Sequence, residues 1–459
     1  MNEVTPNKRP LVHVGRRAGS AATALALSVG MLGTTLPTPL YALYGQRFGF
    51  SELMITVIFA VYAAGVIAAL LLLGRLSDQI GRRRMLLPAL ALSAASAAIF
   101  LLADGLALLI IGRILSGISA GIFTGTATAT LVDLAGPGRR GQATLVAAVA
   151  NMGGLGSGVL LAGVLSQWAP SPLRTSFWVD LALLLPAALG IWAMPEPLST
   201  TDHARLRAHL PRVPAGVRPA FVRAALAAFA GFAALGLFTA VAPDLLGHEL
   251  DVTSGAAIGL VVFSVFAAST AGQAALALLP EEMALPIGCI GLITGMALLA
   301  LSIDLSSLTL LVLGGLTSGL GQGLSFRAGL AGLNSTAPAA QRAEVVSGYF
   351  LVAYVAISLP VIGEGALAQA LGLQAAGLAF AAVVAGVAAV ALMLLARTPG
   401  SSASQMRGRA AASPEQADTR HSTRRHDANI STHRHATRTH RNEHHARGPR
   451  RLGDRRRWL

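Results

Sequence analysis

The segment Gly74-Arg75-Leu76-Ser77-Asp78-Gln79-Ile80-Gly81-Arg82-Arg83-Arg84 separates two long apolar runs, residues 51–73 and 85–103. A bilayer core about 30 Å thick requires about 20 predominantly apolar residues in a helix that crosses it. Both runs are long enough, and the segment between them concentrates arginine. The segment therefore predicts a charged loop that joins two transmembrane helices.

Ten further apolar runs flank this pair, so the sequence predicts twelve transmembrane helices. The first run follows Arg16 and Arg17, as in a signal peptide, but it exceeds the usual 7–15 apolar residues and eleven more runs follow it. We therefore interpret it as the first helix. The predicted spans lie at about 18–42, 51–73, 85–103, 105–133, 141–167, 174–194, 223–246, 255–279, 284–302, 307–333, 343–366 and 371–396.

The composition is that of a membrane protein. The 459 residues are 54% hydrophobic and only 12% charged, whereas soluble domains carry roughly 25% charged residues. This excludes a soluble enzyme, a disordered protein and a nucleic-acid-binding module as the main body. Of the net charge of +14, only +4 belongs to residues 1–396, because 15 arginines and 5 acidic residues follow from Arg397 onward. Cys289 is the only cysteine, so the chain cannot form an internal disulfide.

Lysine and arginine indicate the orientation, since they concentrate in cytoplasmic loops. With the N-terminus inside, the inner segments hold 16 of these residues before the tail, and the outer loops hold only Arg47 and Arg174. The acidic pair Glu281-Glu282 falls in an inner loop, but acidic residues contribute little to orientation. We expect a cell-membrane protein with both termini in the cytoplasm.

A proline- and arginine-rich segment divides the spans six and six. The predicted organisation comprises an N-terminus at 1–17, a bundle at 18–195, a cytoplasmic linker at 196–222, a second bundle at 223–397 and a tail at 398–459. The tail is rich in arginine and histidine and lacks the apolar content to fold. Attraction to anionic lipids, metal binding by scattered histidines and no selected role at all remain open for it.

The two halves repeat at a shift of 202 residues. This shift places Arg140 on Arg342 and Gln167 on Gln369 without a gap. Two halves of like orientation imply a two-fold axis along the membrane normal, with a path between them. The other matched pairs include Gly112/Gly314, Ser116/Ser318, Gly117/Gly319, Gly121/Gly323 and Gly163/Gly365.

The loop at 74–84 resembles the Gly-x-Leu-x-Asp-x-x-Gly-Arg-Arg signature of the major facilitator superfamily, and every fixed position matches. Together with the twelve spans and the repeat, the resemblance covers residues 18–397. It implies an all-α fold of two six-helix bundles and a monomeric secondary transporter that works by alternating access. It also implies no enzymatic activity and no cofactor, with the proton gradient as the energy source.

In this family the loop latches the two halves together on the cytoplasmic side, against the start of span eleven, here residues 343–346. The alternative is a solvated loop that only fixes the orientation. Asp133, at the cytoplasmic end of span four, is expected to join the cluster. The predicted gate and latch residues are Gly74, Asp78, Gly81, Arg82, Arg83 and Asp133.

Span four carries an intramembrane arginine on a glycine stripe. Arg113, Gly117, Gly121 and Gly125 recur every four residues, a spacing that lets helices pack closely in lipid. An arginine costs about 2.5–3.5 kcal/mol at the centre of a membrane helix on insertion scales. The element resembles the family's span-four element implicated in proton coupling, so Arg113 is a coupling candidate.

The matching stripe in span ten ends in arginine instead of beginning with it. Arg327 follows Gly315, Gly319 and Gly323 and lies roughly 18 Å deeper in register than Arg113, at 1.5 Å per residue. Two cations at different depths would suit an anionic substrate or a counter-ion. In the alternative interpretation, Arg327 only extends to the inner interface.

Intramembrane carboxylates are scarce, and Asp180 in span six is the clearest one. It could carry a proton, or it could form a structural ion pair with Arg113. Glu364 and Asp244 lie near predicted outer helix ends and are expected at the surface. The glycine-rich residues 153–163 of span five resemble an antiporter element, but Val159 replaces its proline, which weakens that assignment.

The resemblance implies that spans 1, 4, 7 and 10 face the cavity, although each candidate side chain could equally serve ordinary helix packing. The candidate substrate-cavity residues are Thr35, Thr38, Gly117, Gly121, Phe232, Phe238, Ser318, Gln322 and Arg327.

The leading functional prediction is efflux of small organic compounds by proton antiport. Proton-coupled uptake of a metabolite and a non-transporting membrane sensor are the alternatives. Lys8 is the only lysine, so the chain has no Walker phosphate loop and no ATPase domain is expected. No metal motif and no clustered nucleophile and base point to an enzyme. The expected partners are a small-molecule substrate, the proton and membrane lipids, without nucleic acid.

Overall fold

The computed structural model describes residues 15–73, 76–136, 138–197, 212–339 and 341–397, without the side chains of Glu52, His248 and Glu281. Four predicted features lie outside these residues. They are the latch residue Gly74, the N-terminal residues 1–14, the linker residues 198–211 and the basic tail at 398–459.

Twelve helices in the described part of the chain are long and apolar enough to cross a membrane, and no strand occurs in that part. The prediction of an all-α, twelve-span membrane protein is confirmed. The helices are α1 (Arg16–Thr35), α2 (Glu52–Leu73), α3 (Arg82–Leu101), α4 (Leu106–Ala135), α5 (Arg140–Trp168), α6 (Pro172–Ala193), α7 (Arg218–Ala240), α8 (Gly255–Ala275), α9 (Glu281–Asp304), α10 (Leu308–Thr336), α11 (Arg342–Leu371) and α12 (Leu373–Ala396).

The first span is broken near its middle. Helix α1 ends at Thr35, and the chain continues through a 3₁₀ turn at Thr38–Leu40 into a helix at Tyr41–Phe48. Pro37 and Pro39 cause the break, because a proline has no amide hydrogen for the carbonyl four residues earlier. The break leaves carbonyl groups of the last α1 turn without amide partners in their own helix.

Helix α7 is displaced from its predicted bounds. It begins at Arg218, so residues 218–222 belong to the helix and not to the linker. Pro219 is tolerated there because amides of the first turn have no partner within a helix. The helix ends at Ala240, before a short helix at Ala242–Asp244 and a π-helical turn at Leu245–Glu249.

Arginine marks one face of the bundle. Five of the six odd-numbered helices begin at an arginine, and α9 begins at Glu281. Successive helices cross in opposite directions, so the even-numbered helices end on the same side. We call this side the basic face and the other side the opposite face.

The two halves repeat the same close helix contact. A Cβ atom at Gly117 of α4 would overlap the carbonyl oxygen of Tyr62 on α2, and one at Gly319 of α10 would overlap that of Val265 on α8. The glycines are 202 residues apart and their partners 203 apart, so both halves pack in the same register. One turn later the corresponding pairs are Gly121 with Val66 and Gly323 with Ser269.

The halves meet at the opposite face through two equivalent helix pairs. Near the end of α5, Gly163 packs against Gly255 and Gly259 at the start of α8. Near the end of α11, Gly365 packs against the Thr56 side chain at the start of α2. Thr56 and Gly259 are 203 residues apart, so the two contacts obey the repeat. Only small residues allow helices to approach this closely.

A hydrogen-bonded cap reinforces the α5–α8 contact. The Oε1 atom of Gln167 accepts hydrogen bonds from the Ser254 hydroxyl at 2.8 Å and from the Ala256 amide at 3.1 Å. Ser254 also caps α8, since its hydroxyl accepts from the Ala257 amide at 3.2 Å. The end of α5 in one half is thereby joined to the beginning of α8 in the other.

Candidate functional site

A cavity of about 510 Å³ lies between the two halves. Helices α1, α2, α4 and α5 line it from the first half, and α7, α8, α10 and α11 from the second. It extends to the helix ends at the basic face, where its walls include Asp133, Thr144, Asn334 and Val346. The glycine contacts close the opposite face, so the cavity leads from the middle of the bundle towards the basic face.

Seven aromatic residues line the cavity, and we call them the aromatic wall. The rings of Phe232 and Phe326 meet edge to face with centroids 5.1 Å apart, and those of Tyr62 and Tyr354 with centroids 6.4 Å apart. Tyr354 also joins the halves, because its hydroxyl lies 3.3 Å from that of Thr124 on α4. The remaining aromatic lining residues are Phe59, Phe266 and Phe350.

Arg113 lies at the cavity wall, and its guanidinium forms hydrogen bonds with backbone carbonyls. Its side chain is 1% exposed and donates to the carbonyl oxygens of Thr34 at 2.5 Å, Phe59 at 3.0 Å and Ile58 at 3.3 Å. Its guanidinium carbon also lies 4.8 Å from the centroid of the Tyr62 ring, a cation–π distance. Arg113 therefore ties α4 to α1 and α2.

Asp180 does not form the ion pair with Arg113 that was one of its predicted roles, since no such pair is present among the described residues. It is 2% exposed and packs against α1, where a Cβ atom at Gly33 would lie 2.9 Å from Asp180 Oδ2. Its Oδ1 atom accepts no hydrogen bond from the described residues. Gly33 precedes Thr34, so Asp180 and Arg113 touch adjacent residues of α1.

A pair of hydrogen-bond donors lines the cavity on the side of the second half. The Nη1 atom of Arg327 donates to the backbone carbonyl of Gln273 at 3.0 Å, and both residues line the cavity. The Gln273 side chain is 4% exposed, and its Nε2 atom has no acceptor among the described residues. Arg327 has no carboxylate partner in that part of the chain either.

Arg82 organises a charge cluster at the basic face. It binds Asp78 (Nη1–Oδ1, 2.6 Å) and Asp133 (Nε–Oδ2, 3.0 Å). Glu196 accepts hydrogen bonds from the Arg82 and Arg83 amides at 2.7 and 3.0 Å, which places a negative charge at the start of α3. Both ion pairs of Arg82 lie within the first half, so in this conformation the ion pair of Asp78 is not with the start of α11.

Gly81 precedes α3 with φ 107°, a conformation that favours glycine. It lets the chain turn from the short helix at Leu76–Ile80 into α3. In the described ranges no three His, Cys, Asp or Glu side chains converge on a possible metal site.

A comparison of the sequence with protein families gives a result that agrees with the loop, the twelve helices and the central cavity. Residues 23–359 match the sequence model of the Major Facilitator Superfamily. The chain belongs to this superfamily. It is therefore a multi-pass membrane protein of a transporter superfamily and not an enzyme.

Curated relatives of this facilitator include named bacterial transporters. A triacylglyceride transporter of Mycobacteroides abscessus is 33% identical over 182 residues, 38% of this chain and 34% of the relative. A triacylglyceride transporter of Mycolicibacterium hassiacum is 29% identical over 279 residues, 57% of this chain and 48% of the relative. The inner membrane transport protein YajR of Escherichia coli is 28% identical over 40% of each chain. The matches thus span about a third to a half of these relatives.

Solved structures share the fold. A bacterial homologue of the human lysosomal transporter Spinster, in an inward-facing and unoccupied conformation, has a TM-score of 0.67 at 16% identity over 85% of this chain and 98% of its own. The human organic anion transporter MFSD10 has a TM-score of 0.61 at 20% identity over 83% of this chain and all of its own.

Only some of the residues predicted for the cavity of this facilitator line it. Thr35, Phe232 and Arg327 do, and so do Arg113 and Asp133, which were predicted for other roles. The others do not line it in this conformation and lie in helix contacts instead. These residues are Thr38, Gly117, Gly121, Phe238, Ser318 and Gln322.

Close packing between helices explains why these residues do not line the cavity. The α4 glycines press against α2, which leaves the cavity face of α4 to Thr124, Gly125 and Thr128. Gln322 turns towards α8 instead, where its Oε1 atom accepts a hydrogen bond from Ser269 at 2.6 Å. Each helix of a bundle can offer only part of its circumference to the cavity.

Sequence reasoning also misplaced one acidic residue. Glu364 in α11 is 1% exposed, and neither of its carboxylate oxygens accepts a hydrogen bond from the described residues. The expectation that it lies at the surface was wrong, because α11 continues to Leu371 and buries it. It precedes Gly365, whose contact with Thr56 closes the opposite face.

Proposed function

We propose that this facilitator exports small organic compounds from the cytoplasm in exchange for protons. The observation that supports this most is the cavity between the halves, which leads to the basic face while glycine contacts close the opposite face. The concentration of arginine supports the cytoplasm as the side of the basic face. The conformation is then the one that takes up substrate from the cytoplasm.

The aromatic wall supports organic cargo. Apolar surfaces of this kind bind organic compounds by excluding water, and a few polar groups orient them. The names of the relatives fit such cargo, since they transport triacylglycerides or organic anions by name. The cargo of those proteins is theirs, and only its organic character supports the proposal here.

Asp180 is the proposed carrier of the exchanged proton. Loss of the proton would place an unpaired negative charge beside Gly33, next to the Thr34 carbonyl that Arg113 holds. A change of charge at this point alters how α1 is held against α4 and α6. Protonation of Asp180 would therefore bias the first half between its two positions, with Arg113 as the group that responds.

The loop cluster is the proposed cytoplasmic latch. In the present conformation Arg82 keeps Asp78 and Asp133 within the first half. When the basic face closes, Asp78 would engage the start of α11, and Gly74, Gly81 and Arg83 would shape and charge the contact. The latch then stabilises the conformation in which the opposite face is open.

Transport in proteoliposomes tests the proposal. Vesicles selected for an outward basic face are given an acidic lumen, and a panel of labelled neutral and charged organic compounds is added outside. Export by antiport predicts that protons leaving the lumen drive compounds into it, and that Arg113→Ala abolishes this accumulation. Accumulation driven by protons moving in the same direction as the compound would indicate uptake instead, and no flux of any compound would indicate a sensor.

A further inference from the structure

The substrate class can be read from the polar groups of the cavity, on the basis of the proposed function. We infer that the cavity binds an amphiphile with a single anionic group, which contacts the Arg327 guanidinium and the Gln273 side-chain amide. The apolar body of the amphiphile lies against the aromatic wall.

The first observation is that Arg327 has hydrogen-bond donors without a protein acceptor among the described residues. A guanidinium offers five N–H donors and no acceptor, and within the described residues only Nη1 has a protein acceptor, the Gln273 carbonyl. This one contact fixes the position of the head group at the wall of the cavity. The other donors remain available to a ligand, and the paired oxygens of a carboxylate, sulfonate or phosphate group match them best.

The second observation is the buried amide of Gln273. Its Nε2 atom is enclosed and has no acceptor in the described part of the chain. A buried donor without a partner is destabilising, and an acceptor that arrives with the ligand would supply the missing partner. Because the same residue holds Arg327, the amide and the guanidinium serve one binding point.

The charge balance of the cavity favours an anion. Asp133 is the only acidic residue along the described wall, and Arg82 neutralises it at 3.0 Å. The Arg113 guanidinium is enclosed by backbone carbonyls and aromatic rings. Arg327 is therefore the one cation along this wall that has neither a counter-ion nor a full set of carbonyl partners.

The repeat explains why a single anionic group is expected. A shift of 202 residues places Arg327 on Gly125, which lines the cavity from α4 and has open space where a Cβ atom would be. The two walls therefore differ at equivalent positions, with a cation on one and free volume on the other. Phe326, next to Arg327, packs edge to face on Phe232 and Phe350 and continues the wall as an apolar surface.

Two probes that share one apolar body test the inference. 8-Anilinonaphthalene-1-sulfonate is anionic, and N-phenyl-1-naphthylamine is its uncharged counterpart. Binding of each to the full-length protein in phosphatidylcholine nanodiscs is measured by fluorescence, with empty nanodiscs subtracted. We expect the wild type to bind the sulfonate more tightly, and Arg327→Gln to weaken the sulfonate about tenfold while the neutral probe changes less than about twofold.

Three further variants keep the test decisive. Arg327→Lys retains the charge and should bind the sulfonate within about threefold of the wild-type affinity. This variant tests the role of the charge even if Arg327→Gln folds poorly. Gln273→Leu should weaken the sulfonate while raising the thermal midpoint of the ligand-free protein, since it removes an unpaired buried donor. Arg139→Gln removes one exposed charge at the basic face and should change neither probe.

Equal sulfonate binding by wild type and Arg327→Gln would overturn the inference, as would an equal loss of both probes. The proposed function fails in a different way. A protein that transports neutral compounds without preferring the anionic probe refutes only the substrate class. A protein that binds the sulfonate through Arg327 but moves no compound refutes only the transport proposal.

Discussion

The Nη1 atom of Arg113 lies 2.5 Å from the carbonyl oxygen of Thr34. Thr34 belongs to the last turn of α1, where carbonyls have no amide partners in their own helix and carry the negative end of the helix dipole. The prolines at positions 37 and 39 create this helix end, and Arg113 neutralises it. The break in α1 and the buried arginine of α4 therefore belong to one interaction.

Arg113→Ala should abolish gradient-driven flux and lower the thermal midpoint. The substitution removes three buried hydrogen bonds that tie α4 to α1 and α2. Arg113→Lys should remain impaired at least tenfold, because one ammonium cannot reproduce the planar set of donors. Flux and thermal unfolding of the purified variants check both statements, and wild-type flux in Arg113→Ala would contradict the coupling role.

Asp180→Asn should uncouple transport from the proton without unfolding the protein. The amide has nearly the same shape but cannot release a proton, so the pH gradient should no longer drive accumulation. Exchange of labelled for unlabelled compound, which requires no net proton movement, should continue. Glu364→Gln is the matched control, since it neutralises another buried carboxylate. If accumulation survived in Asp180→Asn and disappeared in Glu364→Gln, the assignment of the proton would be wrong.

Gly163→Val should weaken closure of the opposite face. Its side chain would meet the backbone of Gly255 and Gly259 where the two halves pack together, so the conformation open to the opposite face should gain population. Labelling of a cysteine placed in the cavity by a membrane-impermeant reagent measures this, and the buried native Cys289 keeps the background low. Gly153→Val is a control, because nothing lies within 4 Å of a Cβ atom at Gly153. Unchanged labelling in Gly163→Val would contradict the role of this contact.

Asp78→Asn should slow transport while the fold remains stable. The Asp78 side chain is 60% exposed in its ion pair with Arg82, and exposed pairs contribute only about 0–1 kcal/mol. The thermal midpoint should therefore stay close to that of the wild type. Flux should fall severalfold, because the closed basic face loses its latch. Untouched transport in a correctly inserted Asp78→Asn variant would refute the latch.

The architecture could be predicted from the sequence because the lipid bilayer imposes a simple rule on the helices that cross it. Helices must be long and apolar to cross a bilayer, so the twelve runs could be counted, and the glycines that repeat at 202 residues mark the contacts that both halves make. The charge cluster of Asp78, Arg82 and Asp133 also followed, since its members lie at predicted helix ends on one side.

The walls of the cavity could not be predicted as well, because they depend on how each helix is rotated. Gln322 and Gly117 sit on predicted cavity helices but face their neighbours. Gln273 and Tyr354 line the cavity from helices outside the predicted set. Glu364 was misplaced because a span end a few residues too early moved it from the interior to the surface.

Alternating access is tested most directly by paired distances across both faces. Spin labels at Thr144 and Asn334 report the basic face, and labels at Ser171 and Thr253 report the opposite face, in a Cys289→Ala background. We expect two populations in which a long distance at one face accompanies a short distance at the other, with protonation and substrate shifting the balance. Long distances at both faces at once, or distances that never change, would contradict the account.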